Sequence, residues 1–434
     1  MPRSGLSHAY PSQLAAFVLA RFDELGAQPA GLSLPEDAPA FESVLSVAYQ
    51  ASLLRDEDRP LTFRLAIAPE AAFDLSAGPP KGVHVLSFNA PRPFAVHELM
   101  KLVSAVKFQR SIVAAAILDG QLAVWGILHT GPRWLQTMRG GREGAPELPP
   151  VVIIHVNGPG NIVVSLGSLT LARLYAGEIT IPMLDVFDSM WLPGMFSGVR
   201  GEIEEAFSRM VPAAAKRAVD MDIIRRVGQA FVRRIISTVR DARHGGSLLV
   251  VPPLRTVDVC GGGLVTVKYV FKDAEPRRRF RTLILAVLRE LSEQAIEAGR
   301  PIGWEEYASS HAPAIVELDE AIMEMAHLVS ALADVDGLVV MTQRFEVLGF
   351  GGVVSGQLPE IAAIAQAINL EGTERIEEPT DGMGTRHRAA YRAVAAMPDA
   401  LCVVISQDGG VRFVKWHEGG VTYWDQVAAS AFGG

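Results

Sequence analysis

The sequence predicts an α/β protein in which a mixed β-sheet is flanked by helices. Helix-length segments such as 283–298 and 318–333 alternate with short apolar runs such as 247–251 and 337–341. Glycine and proline bound these runs, as they commonly do at the ends of strands. Helices that alternate with apolar strands are typical of layered α/β folds.

The chain has 434 residues, a length that predicts two domains or, at most, three. The segment 192–198 contains Pro193, Gly194 and Gly198 and is the best candidate for a boundary. We therefore predict a smaller α/β domain over 1–198 and a larger α/β domain over 199–434.

In the first domain, spacing of apolar residues predicts two helices, and alternating or continuous apolar runs predict paired strands. Asp119-Gly120 suits a type I′ turn and predicts a hairpin. The predicted helices are 14–25 and 94–108, and the predicted strands are 112–118 and 121–128, with two further strands joined by a turn within 148–172.

In the second domain, Gly245-Gly246 ends a long basic helix, and Pro252-Pro253 ends the strand that follows it. Later helices and strands alternate to the end of the chain. The predicted helices are 202–210, 218–243, 283–298, 318–333 and one beginning after 384, and the predicted strands are 247–251, 257–271 (interrupted at 261–263), 337–341, 346–352, 401–406 and 411–416.

Composition narrows the functional classes. Because 49% of the residues are hydrophobic and 20% are charged, the chain can bury a large core. The net charge of −8 argues against a general nucleic-acid binder. Two cysteines, no apolar leader segment and no uninterrupted membrane-length segment lead us to expect a cytoplasmic protein without membrane spans.

The most informative segment is Gly384–Ala390, with the sequence Gly-Thr-Arg-His-Arg-Ala-Ala. Arginine binds phosphate oxygens bidentately and stays charged. A Gly-Thr turn that opens a helix also offers free backbone N–H groups to an anion. These groups predict a nucleotide-phosphate site. A solvated or salt-bridged helix start is the alternative for such a basic cluster.

The same segment resembles the signature of diadenylate cyclases, which join two ATP molecules into cyclic di-AMP. Asp336-Gly337-Leu338 is similar to the Asp-Gly-Ala element of that family, and 401–407 is similar to its final strands. The resemblance begins near Ala218 and implies an insertion over about 252–313 and an enlarged loop between Gly356 and Met383. The first two hundred residues resemble the DACNV-like sensor domain that precedes some of these cyclases.

The resemblance implies a role for each matching residue. Thr385, Arg386, His387 and Arg388 would hold the triphosphate of ATP, and Asp336 would help the ribose 3′-hydroxyl to become a nucleophile. The full implied nucleotide site comprises Gly337, Leu338, Gly384, Thr385, Arg386, His387, Arg388 and Ser406.

The resemblance also implies partners. Mg²⁺ or Mn²⁺, with Co²⁺ as a further option, would bind at Asp336 and Asp408. Since each protomer would hold one ATP, a homo-oligomer with facing sites is implied. The N-terminal domain would act as a sensor of an unknown ligand.

The sequence departs from the family pattern near the metal site, where Val335 precedes the aspartate and Gln407-Asp408 follows Ser406. This leaves two alternatives open: a nucleotide-binding sensor without turnover, and an enzyme that uses a different nucleotide pair. The arginines of the long basic helix over 218–243 favour a solvated or interdomain face over a nucleic-acid surface.

Overall fold

The computed structural model describes residues 8–33, 36–75, 78, 83–108, 110–130, 141, 149–167, 169–180, 185–261, 263–354, 358, 361–407 and 409–426. The chain forms two compact units that divide between Met183 and Leu184. Both are mixed α/β structures, and the first is the smaller, as the sequence predicts.

Unit 1 contains three described helices and ten strands. A 3₁₀ turn lies at Glu70–Ala72. The helices are α1 Pro11–Leu25, α2 Ala38–Ser52 and α3 Val96–Val103, and the strands are β1 Arg55–Asp56, β2 Arg59–Pro60, β3 Phe63–Ile67, β4 His84–Pro93, β5 Ser111–Leu118, β6 Gln121–His129, β7 Val152–Gly158, β8 Asn161–Leu166, β9 Leu169–Tyr175 and β10 Glu178–Thr180.

Eight of these strands form one sheet in the order β10-β9-β8-β7-β3-β5-β6-β4, and only β3 and β5 pair in parallel. Apolar side chains of α1, α2 and α3 pack on one face of this sheet. On the other face, Trp125 lies in a second apolar cluster and its indole N–H donates to the carbonyl of Ala68 at 2.8 Å. The predicted Asp119-Gly120 hairpin is confirmed, with φ of 50° and 77° at the two turn residues.

Unit 2 contains nine described helices and nine strands, with 3₁₀ turns at Val186–Asp188, Pro253–Arg255 and Glu275–Arg278. The helices are α4 Trp191–Met195, α5 Ser197–Met210, α6 Ala213–Arg217, α7 Asp222–Ala242, α8 Thr256–Cys260, α9 Arg279–Ala298, α10 Trp304–Ser309, α11 Pro313–Leu332 and α12 Thr385–Ala396, and the strands are β11 Gly246–Val251, β12 Val265–Val270, β13 Leu338–Thr342, β14 Val347–Val354, β15 Ala363–Ala367, β16 Arg375–Pro379, β17 Leu401–Ile405, β18 Val411–His417 and β19 Gly420–Asp425.

The nine strands form one mixed sheet in the order β12-β14-β13-β11-β17-β18-β19-β15-β16. The pairs β11/β13 and β15/β19 are parallel, and the remaining pairs are antiparallel. The longer helices α7, α9 and α11 pack with one face of the sheet in the largest apolar cluster. Helix α12 packs with the other face in a smaller cluster. The sheet is therefore the middle layer of three.

Three predicted elements differ in the structure. The predicted helix 94–108 is helical only over Val96–Val103, after which the backbone continues in turns. The predicted strand 257–271 begins instead as the short helix α8, which continues the 3₁₀ turn at Pro253–Arg255, and the Thr256 hydroxyl donates to the carbonyl of Pro253 at 2.8 Å across that turn. The enlarged loop predicted before Met383 contains a hairpin, β15 and β16, which extends the sheet.

The segment 185–196, which the sequence assigned to the first domain, lies in unit 2. Phe187 packs edge-on against Phe413 with ring centroids 5.6 Å apart, and Trp191 packs against Trp424 at 4.6 Å. Aromatic burial of this kind attaches the segment to the sheet. No described helix has the length and apolar character that crossing a bilayer requires.

Unit 1 buries an imidazole in its sheet. His155 on β7 is fully buried, and its Nε2 lies 3.0 Å from the Ser165 hydroxyl. Burial, with a smaller contribution from the nearby positive charge of Arg64, lowers the pKa of His155 to about 3. In the unfolded chain a histidine titrates near pH 6.5, so the folded state favours the neutral ring.

This shift predicts a pH dependence for the stability of unit 1. Between about pH 6.5 and pH 3 the unfolded state binds one more proton than the folded state at this site. The free energy of unfolding should therefore fall with decreasing pH, by up to about 1.4 kcal/mol per pH unit. Urea unfolding followed by amide hydrogen exchange of β3 and β7, at pH 7.5 and pH 5, measures the loss. The variant His155→Gln should lose less stability over the same range, and an equal loss in both proteins would contradict the prediction.

Candidate functional site

Helix α12 begins directly after Gly384, whose backbone is extended with φ −61° and ψ 154°. No side chain caps this end, and the first turn contains no acidic residue. The carbonyl of Gly384 accepts from the amide of Arg388 at 3.2 Å, which closes the first helical turn. The preceding N–H groups of the first turn have no partner within the helix, as at any helix start. They form a positive end at which an anion can bind.

The buried face of α12 combines small and large apolar residues. Ala390 and Ala393 are at most 1% exposed and allow the helix to lie close to the sheet. Val394 and Met397 are fully buried in the cluster that contains Val340 and Val404. Each large buried side chain contributes about 1.5–3 kcal/mol to stability. The packing fixes the direction in which the polar residues at the helix start project.

Asp336 lies between the end of α11 and the start of β13, and its side chain is fully exposed. Gly337 follows with φ +117°, a conformation that other residues rarely adopt. A Cβ atom at Gly337 would lie only 2.8 Å from the carbonyl carbon of Gly351 and 2.8 Å from the carbonyl oxygen of Gly352. Gly337 therefore permits the close approach of β13 and β14 that sets the position of Asp336.

Arg386 connects α12 to these strand ends. Its guanidinium donates to the carbonyl of His244 at 3.2 Å and lies 3.7 Å from the Asp336 carboxylate. Because both side chains of this ion pair reach solvent, it contributes less than about 1 kcal/mol to stability. A Cβ atom at Gly245 would lie 2.6 Å from the guanidinium, so the glycine leaves room for it. The pair sets the spacing between the cationic helix start and the carboxylate.

These elements line an open cleft of about 1440 Å³. This volume exceeds the range of about 300–1,000 Å³ that is usual for small-molecule pockets. Apart from Asp408, every residue that the sequence assigns to the site lines this cleft: Asp336, Gly337, Leu338, Gly384, Thr385, Arg386, His387, Arg388 and Ser406.

Asp408, a predicted metal ligand, lies outside the described residues, so its position is not part of the site described here. Among the described cleft residues, the carboxylates are those of Asp336 and Asp381. Within the described ranges, no group of three or more His, Cys, Asp and Glu side chains is suitably placed to hold a metal ion. Mg²⁺ commonly binds one or two carboxylates together with substrate phosphates, and the carboxylate of Asp336 beside a cationic helix start fits that donor set.

Sequence reasoning missed several cleft residues. Arg392 extends the row of cations on α12, one turn beyond Arg388. Ser247 contributes a hydroxyl from β11, and Thr380 and Asp381 line the cleft at the base of the β15–β16 hairpin. The i,i+4 spacing of Arg388 and Arg392 was a signal in the sequence for the first of these. The others depend on strand register and on the fold of the hairpin.

A polar network supports the inner side of α12. Arg412 donates to Asp425 at 2.9 Å and to the Tyr391 hydroxyl at 3.2 Å, and its guanidinium lies over the Tyr423 ring at 4.2 Å. Burial raises the pKa of Tyr391, against the opposing effect of Arg412. Burial also raises the pKa of Cys402, beneath the helix, to about 12. Both groups are therefore neutral at neutral pH.

Comparison with known proteins finds one family. Residues 32–129 match the family model described as "Probable sensor domain DACNV", which spans α2 to β6 of unit 1. Unit 1 therefore carries a region similar to a sensor domain. No curated protein and no solved structure matches the chain.

The close approach of Gly337 to the backbone of β14 leads to a testable prediction. The substitution Gly337→Ala should lower the free energy of unfolding by about 1–3 kcal/mol, because it adds backbone strain and a clash with the backbone of β14. Displacement of Asp336 and Arg386 should accompany the loss. Urea unfolding and a crystal structure of the variant measure the two effects.

Gly419→Ala is the matched control. Gly419 also has a positive φ, +86°, but a Cβ atom there meets no atom within 4 Å. It therefore reports backbone strain alone. If the two variants lost stability equally and Asp336 and Arg386 kept their positions in Gly337→Ala, the contact of Gly337 with β14 would not matter for the site.

Proposed function

We propose that this chain is a diadenylate cyclase that converts two ATP molecules into cyclic di-AMP and two pyrophosphates. One observation carries the proposal: residues from two distant segments, 384–388 and 336–338, line one cleft. The first segment supplies cations and free amides for a triphosphate, and the second supplies an exposed carboxylate at 3.7 Å from Arg386. The resemblance of both segments to that family supplies the identity of the reaction.

In the proposed reaction the 3′-oxygen of one ATP attacks the α-phosphorus of the other. The bond from that phosphorus to the β-phosphate bridging oxygen breaks, and pyrophosphate leaves with the electron pair. A second attack of the same kind closes the ring. Arg386, Arg388 and the first-turn amides of α12 would hold and neutralise the triphosphate, since phosphoryl-type transfer depends mainly on positioning and electrostatics.

Asp336 would lie beside the attacking 3′-hydroxyl, orient it and accept its proton as the new bond to phosphorus forms. Its carboxylate, together with substrate phosphates, would also hold Mg²⁺ or Mn²⁺, with Co²⁺ as a further option. Such an ion, when bound, neutralises phosphate charge and polarises the oxygens that react. Because Asp336 is fully exposed at the rim of an open cleft, a second copy of the chain can bring its own nucleotide to it. We propose a homo-oligomer with facing clefts on this ground.

A nucleotide sensor without turnover is the second candidate. The observation that favours it is that the described cleft is richer in cations than in carboxylates, with Asp336 and Asp381 as the only described acidic residues of its lining. Incubation of the protein with ATP and Mn²⁺, followed by mass spectrometry, separates the two functions. Cyclic di-AMP supports the cyclase, whereas ATP that binds but stays unchanged supports the sensor. Competition by GTP tests the choice of nucleotide.

We further propose that unit 1 controls the cleft through the segment 185–192, which follows it directly in the chain. Asp185 pairs with Arg233 at 2.6 Å and accepts from Gln426, so the start of the segment is fixed to α7 and to the residue after β19. Asp185 and Arg233 both lie in unit 2, so the solvated or interdomain face expected for the arginines of this helix stays a prediction.

The other end of the segment contacts the β15–β16 hairpin. The carbonyl of Leu370, in the hairpin turn, accepts from the indoles of both Trp191 and Trp424 at 3.0 Å. The backbone amide of Met190 donates to Glu371 in the same turn at 2.8 Å. The base of this hairpin, at 361–362 and 380–381, lines the cleft. One hairpin therefore connects the segment that follows the sensor-like region with the cleft.

The assignment of Asp336 is tested by Asp336→Asn. We expect formation of cyclic di-AMP to fall at least 100-fold, while the affinity for ATP changes less than about threefold, because the amide keeps the size of the side chain but loses its charge. Chromatography and calorimetry measure the two quantities. Arg388→Ala should weaken ATP binding as well. Undiminished product from the Asp336 variant would exclude the role given to this residue.

The control route is tested by Trp191→Ala. The variant loses the aromatic contact with Trp424 and the hydrogen bond to Leu370. We expect release of the hairpin turn to weaken ATP binding about tenfold, which corresponds to about 1.4 kcal/mol. Trp304→Ala on α10 is the control, since Trp304 also packs in unit 2 but does not line the cleft. Equal ATP affinities in the two variants would rule out the route.

A further inference from the structure

Helix α12 carries a further arginine, Arg392, beyond the segment 384–390 that the sequence singled out. Arg392 lies seven residues after Thr385 and four after Arg388, a spacing that puts the three residues along one side of the helix. All three line the cleft. They are separate from the buried face, which is formed by Ala390, Ala393 and their neighbours.

Arg392 is half-buried without a counter-charge. Its Nε atom is inaccessible to solvent and has no hydrogen-bond partner among the described residues. Within the described ranges, neither Arg392 nor Arg388 forms an ion pair with a carboxylate. Two other partly buried arginines of unit 2 have carboxylate partners: Arg344 donates two hydrogen bonds to Glu202, and Arg412 donates to Asp425.

This arrangement of cations is unfavourable for the stability of the protein alone. The like charges of Arg388 and Arg392, at i,i+4, repel each other on the helix surface. A partly desolvated guanidinium also needs a partner. Unpaired, mutually repelling cations in a cleft are expected where a ligand supplies the negative charge. The missing partner is an anion.

We propose that Arg392 binds the terminal phosphates of the nucleoside triphosphate, the part of the substrate that leaves as pyrophosphate. This proposal rests on the proposed function. Asp336 contacts Arg386 at the start of α12, so the reacting end of the nucleotide belongs there. Arg392 lies six residues further along, about 9 Å at 1.5 Å per residue. It is the cation of this helix most distant from the reacting end, and the chain of phosphates would follow the side formed by Thr385, Arg388 and Arg392.

Arg392 thereby assists the departure of pyrophosphate. When the bond from the α-phosphorus to the bridging oxygen breaks, the electron pair stays on pyrophosphate, and its negative charge rises. A fixed guanidinium beside it neutralises that charge, and bidentate geometry suits phosphate oxygens. Arg392 is a substrate-binding residue in this role.

Binding of 3′-deoxyadenosine tri-, di- and monophosphate to the full chain tests the assignment, because these nucleotides lack the attacking hydroxyl and cannot cyclise. Calorimetry with Arg392→Gln should give triphosphate binding about tenfold weaker than the wild type. Monophosphate binding should change less than twofold. Arg392→Lys keeps the charge and should recover part of the loss. Arg289→Gln, which removes an equally charged surface side chain on α9 far from the cleft lining, should change neither.

Equal weakening of all three nucleotides, or no weakening of the triphosphate, would overturn the assignment. Thermal unfolding of each variant shows whether it is folded. If Arg392→Gln does not fold, Arg392→Lys is compared with the wild type instead, again by its affinities for the tri-, di- and monophosphate. Triphosphate binding by the wild type without any cyclic product from ATP would overturn the proposed function and leave the assignment of Arg392 standing. No binding of any of the nucleotides by the wild type would overturn both.

Discussion

The close packing of α12 against the strand ends of unit 2 is the constraint on which the candidate site depends. Ala390 and Ala393 let the helix lie near the sheet, and Gly337 lets β13 lie beside β14. Gly245 leaves room for the guanidinium of Arg386. Larger residues at these positions would separate the cationic helix start from Asp336. Small residues at a few contacts thus decide whether residues about fifty positions apart in sequence form one site.

The same packing stabilises a helix that carries several cations. The buried face of α12 stabilises the helix through apolar contacts, and this stability offsets the unfavourable row of cations on its other side. The first-turn amides have no capping side chain to compete with a ligand. The network of Arg412, Tyr391 and Asp425 fixes the helix from the inside. The charge of the site is therefore held in place before any ligand arrives.

The β15–β16 hairpin connects the segment 185–192 with the cleft. Strand β15 pairs with β19, and β16 pairs with β15, so both strands are part of the sheet. The turn of the hairpin holds Trp191 and Met190 through the carbonyl of Leu370 and the carboxylate of Glu371. Rigid elements with contacts at both ends can transmit a change in one of them. The hairpin therefore gives the segment after the sensor-like region a physical connection to the cleft.

The sequence by itself determined the α/β class, the Asp119-Gly120 hairpin and most helices and strands, because these depend on local periodicity and turn residues. It also placed the cations of 386–388 at the start of a helix. It did not determine the strand order, the hairpin within 356–383, or the attachment of 185–196 to unit 2. The spacing of Arg392 from Arg388 is visible in the sequence, but only the structure shows that Arg392 lines the cleft. Tertiary structure decided these features because each depends on contacts between segments far apart in the chain, which local pattern does not specify.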